Sequence, residues 1–555
     1  MLEIEGGNQF RVRAYQNAAR TIRDLPRPAA DMLADGDDLS ELPGIGDDLA
    51  GKIQEIVDTG GLQQLEEIKL RTPAGLAKLL QISGLGPKRV QALHEALGIN
   101  SLDDLQEEAE AGKVRQLDGF GEKTEQNILE ELQRQRSEED RTRLDVAEEV
   151  AEPFIGYLGG LDGVRRAEIA GSYRRRRETV GDLDLVVISE KNQEVMDRFV
   201  GYEDVDEVVS HGETRSTVIL RSGLQVDLRV VGAESYGAAL FYFTGSKAHN
   251  IAVRNLALDQ GLKVNEYGVF REEERVAGET EEEIYERFDM SFVPPELREA
   301  RGEIEAARQG KLPTLVTLDD IRGDLQSHTT ASDGKNSLQE MANAARELGH
   351  QYLAITDHSP AVAVTQGLDA EGLAQRIDEI DTLNDGWDDF RLLKSIEVDI
   401  LEDGSLDLPD DILARLDLRV CSVHSHFDLR RDRQTERILR AMDNPNFNIL
   451  AHPTGRRIGS RAPMDLDLER ILEGAKERGC YLEVNAHPER LDLRDVNARL
   501  AKETGVKLAI STDAHSTGGL RVMHYGVDQA RRGWLEAGDV LNTRSWTDLR
   551  RLLRR

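Results

Sequence analysis

Asp182-Leu183-Asp184 places two carboxylates on one side of an extended strand, because successive strand side chains alternate. That spacing lets both hold one divalent cation, or two about 4 Å apart. Just upstream, Gly171-Ser172 is followed by the cationic run Arg174-Arg175-Arg176-Arg177. Backbone N–H groups and a hydroxyl in such a turn can meet phosphate oxygens. A basic segment beside an acidic metal site suits a triphosphate that carries its own magnesium. Taken alone, Asp-x-Asp is as readily a surface strand edge with a solvated arginine face. A third carboxylate follows on the hairpin that turns at Ser222-Gly223. Its second arm alternates, so Gln225, Asp227 and Arg229 share one face while Val226, Leu228 and Val230 share the other. Asp227 is the expected third ligand and the candidate base for an attacking hydroxyl.

A second chemistry sits in the C-terminal half, where nine of the 12 histidines follow residue 320. They recur in Asp324-Leu325-Gln326-Ser327-His328 with Asp333, in Thr356-Asp357-His358, and in Ser422-Val423-His424-Ser425-His426. Glu397, Leu450-Ala451-His452-Pro453 and Ser511-Thr512-Asp513-Ala514-His515 complete the series. Most end a short apolar run that precedes a helical stretch, which is where a (β/α) barrel carries its active site. Imidazole with carboxylate suits Mn²⁺, Zn²⁺ or Fe, and water bound there becomes a nucleophile at neutral pH.

The elements upstream are of another kind. Leu42-Pro43-Gly44-Ile45-Gly46 recurs as Ile82-Ser83-Gly84-Leu85-Gly86 and more weakly as Leu117-Asp118-Gly119-Phe120-Gly121. Each is an apolar–Gly–apolar–Gly turn opening a helix, where two glycines admit a phosphate and the helix N-terminus favours an anion. Such contacts grip a backbone without reading sequence. Residues 131–150 are charged with a helical pattern and read as a connector.

At 555 residues the chain has room for three or four domains. It carries 104 acidic against 71 basic residues, a net charge of −33, and only 15 of the basic residues are lysine. That balance is unusual for a nucleic-acid binder, and it suits a salt-saturated cytoplasm in which molar salt shortens the Debye length to ~3 Å. A halophilic, archaeal source is the expectation; the alternative is a protein that avoids nucleic acid. Cys421 and Cys480 give no disulfide framework and point to a reducing compartment. With no signal peptide and no apolar run of ~18 residues, a soluble cytoplasmic protein is expected.

Gly171-Ser172, Asp182-x-Asp184 and Asp227, continued by Tyr242-Phe243-Thr244-Gly245-Ser246, Asn250 and Asn265-Glu266-Tyr267-Gly268, resemble the palm and thumb of the family-X DNA polymerases. The glycine turns resemble helix-hairpin-helix modules, and the histidine-rich half resembles the PHP phosphoesterase domain, a distorted seven-stranded barrel with a trinuclear cluster. The resemblance implies a multidomain α+β and α/β chain. It would hold a helix-hairpin-helix, lyase-like domain over 1–80 and a fingers-like region over 81–150. The nucleotidyltransferase palm would span 151–231, the thumb 232–312, a linker 313–322 and the PHP barrel 323–555. It assigns Gly171, Ser172, Arg175 and Gly181 to the triphosphate, with Asp182, Asp184 and Asp227 binding Mg²⁺ or Mn²⁺. Tyr242 and Phe243 would face the incoming sugar, Gly245 would belong to the same nucleotide- and DNA-binding set, and Asn250 and Arg254, four apart on one helix face, would face the nascent pair. Gly44, Gly46, Gly84 and Gly86 would hold DNA with a monovalent cation. Lys52 takes the place of a lyase nucleophile, a role that needs a lowered lysine pKa, and Tyr15, which matches the family's opening segment, is assigned to DNA binding. Asp47 and Asp48 stand where relatives carry basic residues, and Arg176 where they usually carry glycine.

In the barrel the resemblance assigns His328, Asp333, His358, Glu397, His424, His452, Asp513 and His515 as ligands of Mn²⁺, Zn²⁺ or Fe. Gln326 replaces the first histidine of a His-x-His pair and is the weaker donor. His426, His487 and His524 fall outside the pattern and read as structural or surface residues. The implied function is a monomeric DNA-directed DNA polymerase that uses dNTPs to fill gapped or nicked DNA in base excision repair. The barrel would add 3′-5′ exonuclease or 3′-phosphatase activity, with abasic-site cutting as a further option. Two other classes compete: a phosphoesterase of small metabolites with a non-catalytic N-terminal half, and a non-catalytic scaffold for DNA ends.

Overall fold

The computed structural model describes residues 141–361 and 365–554 continuously. Before them it describes 38–132 apart from 43, 60, 66–67, 69–75, 80–81, 83–84, 118, 122 and 130–131, together with 11, 14–15, 18, 22 and 29–34. The chain divides into two compact units, 1–140 and 141–555.

In the first unit each glycine turn makes the same bonds. Ile45, Leu85 and Phe120 donate their N–H to the carbonyls of Leu42, Ile82 and Leu117. Gly46, Gly86 and Gly121 then accept from the N–H groups three and four residues on, opening a helix each time. Gly44 and Gly119 take φ of 80° and 81°, the left-handed region that glycine enters without strain. No atom lies within 4 Å of where a Cβ on Gly46, Gly86 or Gly121 would stand, so each turn is open on that side. Gly84 lies outside the described residues.

The second unit opens on the short strand Thr142–Arg143, which leads into the helix Leu144–Gly159; most of the charged connector over 131–140 lies outside the described residues. Leu144, Ala147, Ala151, Phe154 and Leu158 recur every three or four residues and form one buried stripe. The stripe packs on a five-stranded sheet in the order Val164–Ile169, Asp182–Ser189, Gln225–Val231, Arg215–Leu220, Val205–His211. Asp182–Ser189 and Gln225–Val231 run parallel, with Asp184 directly beside Asp227. A helical segment follows, with Tyr236–Thr244 and Lys247–Asp259 packed around Phe241, Val253, Tyr285 and Phe288.

Residues 323–511 then form seven parallel strands in chain order. Asp513 N donates to Gln326 O and His328 N to Ala514 O, joining the last strand's exit to the first and drawing the sheet into a nearly closed barrel. At the strands' N-terminal ends, Leu549 and Leu553 of the final helix pack against Leu325, Leu418 and Ile449. The donors therefore face the other, C-terminal mouth, as barrel architecture requires. Among the described residues no helix is long and apolar enough to cross a membrane.

Candidate functional site

Gly171, Ser172, Arg175, Asp182, Asp184, Tyr242, Phe243, Gly245, Asn250 and Arg254 line one cavity of about 550 Å³, together with Arg141, Lys247 and Ile251. Gly171 has φ 63°, and a Cβ there would stand 2.6 Å from the Asp184 carboxylate, so only glycine brings this backbone against the acidic pair. Asp227 is fixed from three sides. Thr217, its cross-strand partner, donates at 2.6 Å, Gln225 Nε2 donates at 2.7 Å to the other oxygen, and Arg215 stands at 3.5 Å. Asn250 Nδ2 donates to the Tyr242 carbonyl at 2.7 Å, which ties the helix Lys247–Asp259 to the end of the preceding one. Gly181 is not among the residues lining the cavity, but a Cβ there would stand 3.3 Å from Nη1 of Arg141, which is.

The four arginines of the run are divided among several partners. Arg174 donates to both oxygens of Glu281, at 3.0 and 2.7 Å, and to Thr244 Oγ1. Arg176 pairs with Asp528 at 2.6 Å, and Arg177 lies 3.9 Å from Glu299. Of the four side chains, Arg175 lines the cavity. Arg141, which stands outside the run, was not singled out by sequence. It donates to Thr179 Oγ1 at 2.9 Å and its charge bears on Asp182. Its only signal was its place among several arginines in the charged stretch 131–150.

Burial and the two neighbouring carboxylates push the Asp184 pKa up to about 7, and burial with Asp227 raises Asp182. Such a cluster of partly buried carboxylates fits a divalent cation, which would neutralise the repulsion. Because its pKa is raised in the fold, Asp184 favours folding most below its ordinary pKa and loses that contribution as pH rises towards 7. A bound cation displaces the same proton, so affinity should rise with pH up to about 7 and then level off. Mn²⁺ titration followed by electron paramagnetic resonance should give about tenfold tighter binding at pH 8 than at pH 6. Asp184→Asn should lose that dependence; equal affinities in the unaltered protein would contradict it.

The barrel mouth gathers the second donor set. Three groups of donor atoms each lie within 4.8 Å of one another: His328, Asp333, His358 and His515; His358, Glu397 and His424; His328, Glu397 and Asp513. Shared members make Glu397 a bridge. Its oxygens lie 3.3 Å from His328, 3.5 Å from His358, 3.4 Å from His424 and 3.1 Å from His452. Although burial opposes it, this ring of imidazoles holds the Glu397 carboxyl well below its usual range. Asp513 and Asp333 are likewise held low against burial, Asp513 chiefly by His328 and Asp333 by His358 and His515. Buried nitrogens of His328, His358 and His452 have no hydrogen-bond partner, and the rings of His328 and His515 stack with centroids 4.2 Å apart. Imidazoles crowded round carboxylates with unused lone pairs fit a multinuclear cluster of a nitrogen-accepting metal.

Gln326 is fully buried at the same mouth. Its Nε2 lies 3.4 Å from Asp513, while its Oε1 is buried without a partner and can serve as an oxygen donor. Supporting residues fix the ligand backbones: Glu483 accepts from His452 N at 2.7 Å, Asp399 from His424 N, and Asp357 from Thr329 N. Arg490, 3.3 Å from Asp513, and Glu483 were not foreseen; both lie around Asn485-Ala486-His487-Pro488, where no metal-ligand spacing marks them. His426 is half exposed beside Glu402, His487 Nδ1 accepts from Glu489 N, and His524 lies 3.5 Å from Glu148.

Lys52 departs from its expected chemistry. Its Nζ bonds Asp48 and lies 5.2 Å from the centroid of the Tyr15 ring, whose hydroxyl donates to Gln64. Burial alone would lower its pKa, but the bonds to Asp48 and Tyr15 outweigh burial and raise it. A Schiff-base nucleophile needs the opposite shift.

The chain matches the DNA polymerase beta thumb over residues 239–299 and the PHP domain over 324–487. Helix-hairpin-helix domains match over 1–62 and, as a tandem, over 76–134. It is 39% identical over its whole length, and 97% of the relative's, to the DNA polymerase/3′-5′ exonuclease PolX of Bacillus subtilis (strain 168). Over 203 residues, 35% of this chain and 78% of the relative's, it is 32% identical to a probable phosphatase of Thermoanaerobacter sp. (strain X514). A relative matched from end to end, with thumb, helix-hairpin-helix and PHP segments in a single chain, makes this protein a member of the family-X DNA polymerases that carry a C-terminal PHP domain.

Proposed function

We propose that the chain is a DNA-directed DNA polymerase for short gaps in base excision repair, with the barrel acting as a 3′-5′ exonuclease and 3′-phosphatase. The observation that carries the first half is Asp184 beside Asp227 in adjacent parallel strands, with Gly171 against the Asp184 carboxylate. Asp182, Asp184 and Asp227 would hold Mg²⁺ or Mn²⁺, which when bound neutralises charge on the entering and leaving oxygens. Asp227 accepts the proton of the primer 3′-OH as it attacks the α-phosphate. The Gly171–Ser172 turn and Arg175 hold the departing pyrophosphate, with Arg141 as a further phosphate contact. Tyr242 and Phe243 lie against the incoming sugar, and Asn250 and Arg254 against the nascent pair.

In the barrel, the eight His, Asp and Glu donors with Gln326 would hold Mn²⁺, Zn²⁺ or Fe, which supplies an activated water. Arg490 is positioned to meet the scissile phosphate. The glycine turns, with a monovalent cation, grip the DNA backbone without sequence preference. The family assignment and this donor set oppose a lone metabolite phosphoesterase and a non-catalytic scaffold. The lysine-poor, acidic composition supports a halophilic protein that works in molar KCl. On a duplex with a one-nucleotide gap, the protein in molar KCl with Mg²⁺ or Mn²⁺ should insert one nucleotide, faster than on an open recessed end. No incorporation by folded protein at any salt or metal would refute the polymerase reading.

A further inference from the structure

The arginines of the Gly171–Arg177 loop pair with partners from elsewhere in the chain, and the partners of Arg176 are the least expected. Arg176 has φ 54°, a left-handed conformation that is strained for a residue with a Cβ. Its guanidinium donates to Asp528 at 2.6 Å and reaches Glu148 at 3.4 Å. Asp528 belongs to the helix Met523–Arg532, which follows the last barrel strand. From the same helix Arg532 donates to the Arg175 carbonyl at 2.7 Å, and Tyr525 donates to Glu148 at 2.6 Å while packing into the core beneath the five-stranded sheet. Arg532 is also fixed by Asp495 at 2.7 Å and shares Glu299 with Arg175. At the far end of the loop, Glu178 takes both arms of Arg456, at 3.1 and 2.7 Å.

We infer that the barrel is a working part of the polymerase site: Asp528 and Arg532 are positioning residues that hold Gly171–Arg177 in its nucleotide-binding form. This rests on the reading of that loop as the triphosphate site. Partly buried, charge-assisted bonds to the helix Met523–Arg532 offset the backbone strain at Arg176 and fix the Arg175 carbonyl, so the loop is preorganised before the nucleotide arrives. None of these barrel residues belongs to the metal-donor groups, so this role is separate from hydrolysis.

The test is steady-state gap filling by the full-length protein, with KM for dNTP and kcat measured separately, beside 3′ shortening without dNTPs. Asp528→Ala should raise KM about tenfold, leave kcat within about threefold and spare 3′ shortening. Arg176→Gly should do the same, because glycine accepts the left-handed backbone while the ion pair is gone. Asp528→Glu, which keeps the charge, should return KM most of the way to normal. Ser172→Ala is the control for the loop itself and should raise KM. An unchanged KM in Asp528→Ala and Arg176→Gly, with Ser172→Ala raised, would overturn the positioning role alone. An unchanged KM in Ser172→Ala would remove the loop reading and this inference with it. Equal loss of extension and shortening would show general misfolding, and that too would overturn a loop-specific role.

Discussion

Asp182→Ala should lower single-turnover strand extension by about a thousandfold or more while leaving 3′ shortening within about twofold. Metal-based charge stabilisation contributes several kcal/mol to such a transfer, and each 1.4 kcal/mol is a factor of ten. Asp182 and Asp184 stand on one strand beside Asp227 on its parallel neighbour, so no other carboxylate at the cavity can take the missing place. The fold should survive. Asp182 is partly exposed, and its pKa is raised by burial and by Asp227, so removing it relieves repulsion in the metal-free protein. Unfolding followed by circular dichroism should therefore give an equal or higher midpoint for the variant without metal, and a lower one with Mg²⁺ present, because the unaltered protein gains more from the ion. A fall in both activities together would argue against two separate sites.

Glu397→Gln should have the complementary effect. Four imidazoles converge on this one carboxylate, and it belongs to two of the three donor groups. A carboxamide has almost the same shape but cannot carry the negative charge that bridges cations, so the cluster should lose metal as well as activity. The expected result is a loss of 3′ shortening of about a thousandfold, with metal per chain reduced by mass spectrometry and gap filling unchanged. Full metal content with lost activity would assign Glu397 to the reaction rather than to ligation.

The sequence carried both donor sets because each depends on local periodicity. Asp182 and Asp184 had to share a face, and the alternation of Gln225, Asp227 and Arg229 fixed which side of the next strand was acidic. Most of the barrel's candidate donors were legible for a similar reason, since they follow an apolar strand at the mouth where parallel strands end; Asp333 lies in a turn beyond the first strand and Glu397 within its own strand. What sequence could not carry was partnership across long separations. Four consecutive arginines look alike in one dimension, yet Glu281, Glu299 and Asp528 divide them, and Arg175 alone among them lines the cavity. Lys52 likewise reads as a nucleophile until Asp48, one helical turn away, is seen to accept from it. Arg490 and Arg141 belong to no spacing pattern; only the folded chain brings them beside Asp513 and Asp182.

One chain thus carries two separate sites of opposite effect on a 3′ end. A 5′-labelled duplex with a one-nucleotide gap, in molar KCl with Mn²⁺, with and without dNTPs, distinguishes them. The unaltered protein, Asp182→Ala and His452→Ala are followed side by side. Extension should disappear only in Asp182→Ala and shortening only in His452→Ala. Shortening that disappears in Asp182→Ala, or extension that disappears in His452→Ala while the protein stays folded, would contradict that separation.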